Sequence, residues 1–587
     1  MNSGIEYVEY KFVGTVPGAT ENMLREDLEC KMILRAVISP RHCQRRNRCI
    51  SRLHCNDGCS SFGRTSSAPT SSQRDGNSFD DRCSATRRPD IKVATWNIAA
   101  PNNNPFEFWS SHQSKDYDNL MMAVQKCMDN PADLDVPLEE VFSHCMYQEM
   151  RQEMKAVGVC DLNMLDEAWE SDFKHRKAIS EFLKDKALGE KRLISMPDRM
   201  TTSIKTNCGK ERFRPSPITG TTDDMSNVAT WWPLWKDYMF HSPAFVKGEQ
   251  IPCVFSLLQM IPKSKYPALT EAEEIMSRSL QTLCLALFDA VFTFMLSNLA
   301  PETWQPLKRS LHKSLFENKV SSCVSILGAN YCDADVIFIQ EASEAFAARA
   351  GVCLSQHVLR PCGLDGRRCQ MSLILVKKAM FDISSAADVT NEVEDKLDVK
   401  CVEKGDLCVF KIQSFDTKYL LASFHGDSNG RSTGPVLAAL DRLARQSYPD
   451  HTLIFGLDAN VSGDGDVRGN LDSLLSSTSL SSCWEGQDLH SLWTTFNART
   501  HLQPQLHKAV GLTDVLDRRH MRLKDWILFY DAQLAIKSVA RDNTGGGSFV
   551  TRVMPSQAFP SDHAIVSATL QMKQSVRPAS SPLLRWR

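Results

Sequence analysis

The chain has 587 residues, 42% of them apolar and 24% charged, enough to bury a sizeable core in two or three domains. Its formal net charge of −2 excludes a global positive field, so any surface for nucleic acid must be local. The 20 cysteines follow no disulfide rhythm, and Glu6 and Glu9 interrupt the place of a secretory apolar core, which predicts a reduced, intracellular protein.

Residues 1–90 are predicted to be a disordered basic region rich in Cys and Ser, because Ser60–Pro89 holds little to bury. Within it Cys43, Cys49, Cys55 and Cys59, with His42 and His54, could supply four zinc ligands. The paired short C-x-x-C knuckles are missing. A flexible basic tail reaching nucleic acid or a transport receptor is therefore the preferred reading. Ordered structure begins with the alternating strand Ile91–Asn97.

From about 100 to 305 the texture turns helical. Apolar residues recur at helical spacing over Asp118–Met128, Leu138–Val157, Asp166–Ala187 and Thr270–Leu299. The Trp-rich run from Thr230 reads as a buried packing segment. Leu283–Ala300 is long enough to span a bilayer. Asp289 at its middle would cost about 3 kcal/mol there, so a buried core helix, without stable membrane insertion, is expected.

After residue 310 a helix is predicted over Leu311–Tyr331, then strands at Val336–Gln340, Met371–Lys377, Cys408–Ile412, Leu420–Phe424, Thr452–Gly456, Trp526–Tyr530 and Ala564–Leu570, with a helix at Val436–Ser447. Such mixing points to an α/β layered sandwich. Polar clusters close or open these strands. Glu341 follows Val336–Gln340 and suits a hard-cation ligand, a helix cap or a salt bridge. Asp458 and Asn460, two apart, point the same way. They fit either a water-activating pair or an Asx turn. His425 ends one strand before a Gly-Asp-Ser-Asn-Gly loop able to hold an anion. Asp525 opens another, and Asp562-His563 closes the series.

In this order Thr95-Trp96-Asn97, Ile339-Gln340-Glu341, His425, Gly456-Leu457-Asp458-Ala459-Asn460, Asp525-Trp526 and Pro560-Ser561-Asp562-His563 resemble the endonuclease/exonuclease/phosphatase superfamily. The resemblance covers 91–98 and 310–572. It implies a four-layer α/β/β/α sandwich (DNase-I-like) with these residues in one cleft. It further implies Mg²⁺, with Mn²⁺ as a substitute, held by Glu341 with Asn97 and Asp562. Asp458 would position or deprotonate the attacking water, held by Asn460, while His563, oriented by Asp525, and His425 would face the scissile phosphate. The expected activity is phosphoester hydrolysis by in-line attack of water, with nucleic acid as the leading substrate. A phosphomonoesterase of small phosphate esters and a non-catalytic scaffold are the alternatives.

Two departures stand out. Roughly 240 residues separate Asn97 from Glu341, so residues 99–309 form a mainly helical insertion that could select substrate or bind a protein partner. The family's Gly-Asp-x-Asn carries one extra residue here. The Trp-x-Asp-Arg signature of inositide phosphatases is absent around Asp525. In the family the stretch before that strand lines the cleft, making Arg499, His507 and Lys508 candidates for substrate contacts. Residues 573–587 are expected to be a flexible tail.

Overall fold

The structure is a computed structural model. It describes residues 90–573 except 208, 247–248, 362–369, 398–399, 416, 462–470, 497 and 512–517. The N-terminal region with its candidate zinc ligands and the C-terminal tail lie outside the described residues, apart from Asp90 and Lys573 at their edges.

Twelve strands build two six-stranded sheets: β1 (Ile91–Asn97), β2 (Val336–Ala342), β3 (His357–Pro361), β4 (Met371–Lys377), β5 (Asp382–Asp388), β6 (Leu407–Ser414), β7 (Thr417–His425), β8 (His451–Asp458), β9 (Leu480–Ser482), β10 (Asp525–Tyr530), β11 (Leu534–Asp542) and β12 (Ile565–Met572). The first sheet runs β11-β12-β1-β2-β4-β3 and the second β9-β10-β8-β7-β6-β5. Among the described residues of these two sheets, only β1–β2 and β7–β8 pair in parallel. The sheets pack face to face, with β1 on β8 and β10, and β2 on β7 and β8. The inner strands are accordingly apolar on both faces, as in Val336–Ile339 and Leu373–Val376. Gly456 is required at this contact, since a Cβ there would lie 2.4 Å from the Phe338 ring.

Helices Lys319–Asn330 and Glu344–Cys353 pack together outside the first sheet, the former joined to its β11 edge by a Tyr331 hydroxyl bond to Asp542. Helix Thr433–Gln446 lies on the second, where Tyr530 donates to Asp441. This is the expected four-layer α/β/β/α sandwich. Of these twelve strands, the four absent from the sequence reading, β3, β5, β9 and β11, are sheet edges. An edge strand buries less and shows no continuous apolar run: β5 reads Asp-Ile-Ser-Ser-Ala-Ala-Asp with no fully buried residue.

Residues 106–311 supply nearly all of a second apolar core. The first helix, Lys115–Asp129, outruns its predicted span, while the other three predicted runs break into shorter pieces. The run Asp166–Ala187 breaks after Ser171, and Asp135 starts a fresh turn by accepting the N–H groups of Ile179 and Ser180. The membrane-length helix Ser277–Leu299 is almost wholly buried in this core. Its Asp289 accepts from Arg214 Nε at 2.8 Å, Ser216 Oγ at 2.6 Å and Trp235 Nε1 at 2.9 Å. Arg214 also reaches Asp198 at 2.6 Å. Arg214 and Asp289 are fully buried, so the pair is a structural centre of the insertion.

Removing one member of a buried pair leaves the other charge uncompensated. Arg214→Leu is expected to destabilise the protein by about 3–5 kcal/mol, and adding Asp289→Leu should recover part of the loss. Urea unfolding checks this; a single variant within 1 kcal/mol of wild type, on the order of a surface change, rejects the assignment.

Candidate active site

Strand register assembles the site. Parallel pairing sets Asn97 beside Gln340 and His425 beside Asp458, and antiparallel pairing sets Asp458 beside Asp525. His425, Asp458 and Asp525 thus form one row across the second sheet. Asn97 and Glu341 face them from the first. The β2–β4 register shifts between Ile339 and Ala342, and Glu341 sits in this bulge at φ 56°. Ala99 at φ 55° and Asn460 at φ 48° are also left-handed. Three non-glycine residues held in this unfavourable region at one locality mark a functional constraint.

The Asn97 amide donates to Glu341 Oε1 at 3.0 Å and to Asp458 Oδ2 at 2.9 Å, while its carbonyl accepts the Ala99 N–H at 2.8 Å. Asn97 therefore orients the two carboxylates in this arrangement, and its oxygen is not turned toward them as a ligand. The Ala100 N–H adds a bond to Glu341 Oε2 at 2.7 Å. His425 Nε2 stands 3.2 Å from Glu341 and 3.9 Å from Asp458, and its Nδ1 lies 3.6 Å from Asp406. The Asn460 amide donates to the Gly426 carbonyl at 2.8 Å. Its own N–H bonds Asp458 Oδ1 at 2.9 Å, so the Asx turn and the carboxylate–amide pair coexist.

His563 packs behind Asp458. Its Nδ1 donates to Asp525 Oδ2 at 2.9 Å, and Nε2 lies 3.7 Å from Asp458 Oδ2. Ser561 Oγ bonds the Asn97 carbonyl at 2.7 Å and accepts the His563 N–H at 3.0 Å, which fixes the turn against β1. Trp96 Nε1 donates to the His563 carbonyl at 3.0 Å. Asp562 interacts electrostatically with His563 and Lys319.

Burial alone would raise the Glu341 carboxyl, but the His425 charge and the bonds from His425, Asn97 and Ala100 hold it well below the usual carboxylate range. Burial alone would lower His425, yet Glu341, Asp406 and Asp458 raise it well above its ordinary value. For His563, burial opposes and Asp525 and Asp458 more than compensate, pushing it up to about 9. Two imidazolium groups thus flank the buried Asp458.

Oxygens of Glu341 and Asp458 and a nitrogen of His425 lie within 4.8 Å of one another. The two carboxylates, with no thiolate beside them, fit a hard divalent cation; His425 as imidazolium has no lone pair to give one and contributes only charge. Asp562 is not part of that group.

The sequence reading missed Asp406 and Lys319, and gave Gln340, part of its motif, no role of its own. Asp406 meets His425 only because β6 and β7 pair with Leu407 beside Phe424. Lys319, 6% exposed, donates to the Ala100 carbonyl at 3.4 Å and senses the charges of Asp562 and Glu341. Gln340 ties the sheets together, donating to Thr95 Oγ1 at 3.1 Å and Ser423 Oγ at 3.0 Å. A Gln before the acid on β2 was the available signal. Of the three candidate substrate residues, Arg499 pairs with Glu107 and lies 4.9 Å over the Phe108 ring. His507 and Lys508 occupy a short turn, Leu506–Lys508, beside Arg192. All three face the insertion.

A domain of unknown function (DUF8234) matches residues 135–309, within the insertion. A search of curated proteins finds no match. Among solved structures, humanized D. rerio TDP2 is 14% identical over 44% of this chain and 95% of that one, with a TM-score of 0.31. The human Nocturnin catalytic domain with bound sulfate is 14% identical over 45% and 89%, TM-score 0.31. A Bacteroides thetaiotaomicron mannosyl-6-phosphatase is 17% identical over 43% and 90%, TM-score 0.29. Likenesses this partial add no weight to the geometry above. The resemblance to the endonuclease/exonuclease/phosphatase superfamily stands in the layered fold and the placement of its motif residues.

Because Asp525 sustains the His563 charge, Asp525→Asn is expected to lower the His563 pKa by about one unit or more, readable by NMR titration of labelled histidine. The raised value also implies stability that is full below pH 6.5 and lost as pH rises through about 9. An unchanged His563 titration in the variant rejects the pairing.

Proposed function

We propose that this chain is a divalent-metal-dependent phosphoester hydrolase, an intracellular nuclease or phosphodiesterase that cleaves nucleic acid by in-line attack of water. The observation that carries the reading is the convergence of Glu341 and Asp458, bridged by one amide, with two imidazolium groups on a single cleft wall. The free thiols of the described cysteines suit a reducing compartment.

Asp458 is the proton acceptor. Its oxygens are held by Asn97 and by the N–H of Asn460, which fixes the carboxylate in place to take a proton from an attacking water. As the water oxygen bonds to phosphorus, its proton passes to Asp458 and the bond to the leaving oxygen breaks. His563, charged and anchored to Asp525, offsets negative charge growing on the phosphoryl oxygens. His425, clasped among three carboxylates, places a second positive charge opposite. Glu341, with Asp458 adjacent, would hold the Mg²⁺, which supplies Lewis-acid polarisation of the phosphate when bound.

Metal-stripped protein resupplied with Mg²⁺ should hydrolyse single-stranded RNA or duplex DNA. Glu341→Gln and His563→Ala should each lower the rate about 10²–10³-fold. Turnover of inositol phosphates alone would reject the nuclease assignment in favour of a phosphomonoesterase. No turnover of any of these would favour a non-catalytic scaffold.

A further inference from the structure

Glu341 is held by a chain of contacts that starts away from the strand ends. Its Oε2 accepts the Ala100 N–H at 2.7 Å, and the Ala100 carbonyl accepts from Lys319 Nζ at 3.4 Å. Ala100 is thus gripped on both sides, by a carboxylate at its N–H and by an ammonium at its oxygen. The residue before it, Ala99, is left-handed at φ 55° and donates to Asn97 Oδ1 at 2.8 Å. The turn after β1 therefore touches both Asn97 and Glu341, and Lys319 holds its outer end.

Lys319 stands where a lysine is disfavoured. It is 6% exposed, and a buried charge is costly unless it is well paired. It opens helix Lys319–Asn330, the end at which the macrodipole opposes a cation. Among the described residues its ammonium, with three donors, makes one hydrogen bond, the one to Ala100. Burial lowers it, with Cys323, Asp562 and Glu341 acting in opposition.

The helix that carries Lys319 is firmly seated. Cys323 and Leu327 lie in the core of the sandwich. Asn330 Nδ2 bonds the Gly545 carbonyl at 2.6 Å, and the Tyr331 hydroxyl bonds Asp542 at 3.0 Å. A disfavoured cation on a fixed helix, directed at the residue whose N–H holds a carboxylate, has a role at that carboxylate.

We propose that Lys319 is a positioning residue for Glu341: by gripping the Ala100 carbonyl it keeps the Ala100 N–H on Glu341 Oε2, and so sets how Glu341 is presented, with Asp458, to a divalent cation. The inference rests on the metal-dependent hydrolase reading and deepens it. Groups that orient a ligand from behind typically change metal affinity by about 10–100-fold.

The test is Mn²⁺ titration of the full chain, with the free ion read by EPR and folding checked by Tm. Glu341→Gln should abolish the site. Lys319→Met should weaken Mn²⁺ binding by about 10–100-fold. Removing a cation beside two carboxylates would by itself tighten binding of a metal, so weakening separates positioning from a bystander charge. A packing role alone would lower the Tm and leave metal affinity unmoved. Lys319→Arg, which keeps charge and donors, should recover most of the affinity. Lys319→Gln takes the place of the Met variant should that one not fold. Binding by either variant equal to or tighter than wild type overturns the proposal. A loss in Lys319→Arg as deep as in Lys319→Met also overturns it, as does Mn²⁺ binding that survives Glu341→Gln. A wild type that binds Mn²⁺ through Glu341 yet hydrolyses no phosphoester sinks the hydrolase reading and leaves the positioning role standing. Hydrolysis that requires Glu341, with undiminished metal binding in Lys319→Met, does the reverse.

Discussion

One amide spans the two sheets and holds two carboxylates that would otherwise repel. Asn97 ends a strand of the first sheet and donates to Glu341 beside it and to Asp458 on the second. Two buried or half-buried carboxylates so close would raise each other's pKa and lose one charge. Here the Asn97 amide hydrogens, the Ala100 N–H and the His425 charge keep Glu341 ionised. The rest of the sandwich serves that bridge. Gly456 lets the sheets close on Phe338, Gln340 fastens them one residue away, and Ser561 locks the His563 turn onto Asn97.

The strain is concentrated where the chemistry needs it. Glu341 reaches the cleft only because a bulge turns its backbone left-handed, a conformation costing on the order of 1–3 kcal/mol. Asn460 accepts the same cost, and its amide is then free to grip Gly426 and pass its carbonyl to Lys524 at 2.8 Å. The surrounding apolar core, continuous from both sheets into their covering helices, provides the excess stability that holds these positions.

Legibility followed burial. The eight inner strands carry continuous or alternating apolar residues and are readable; the four edges are not, because they bury less of their surface. Asn97, Glu341, His425, Asp458, Asp525 and His563 were visible as polar residues at the ends of inner strands. Asp406 and Lys319 were not, since each meets the site through tertiary pairing: one by β6–β7 register, the other by a helix returning from the insertion. The helical insertion was legible as texture only. Its breaks depend on distant caps such as Asp135, which no local period contains.

The insertion begins two residues past Asn97, and its first peptide groups already belong to the site, Ala99 holding the Asn97 carbonyl and Ala100 the Glu341 carboxylate. Every proposed reacting side chain nonetheless comes from the sandwich, so the insertion is not needed to complete the chemistry. A segment with no such duty could hang from a flexible tether at little thermodynamic cost. This one is instead fixed near its start, by Lys319 on Ala100 and by the bonds that join Asn104, Glu107 and Trp109 to the stretch Ala498–Val510. It also keeps its own buried ion pair. Rigid docking matters only if position relative to the cleft matters. Under the proposed function, that assigns the insertion to what reaches Asp458 and the hydrolysis to the strand ends.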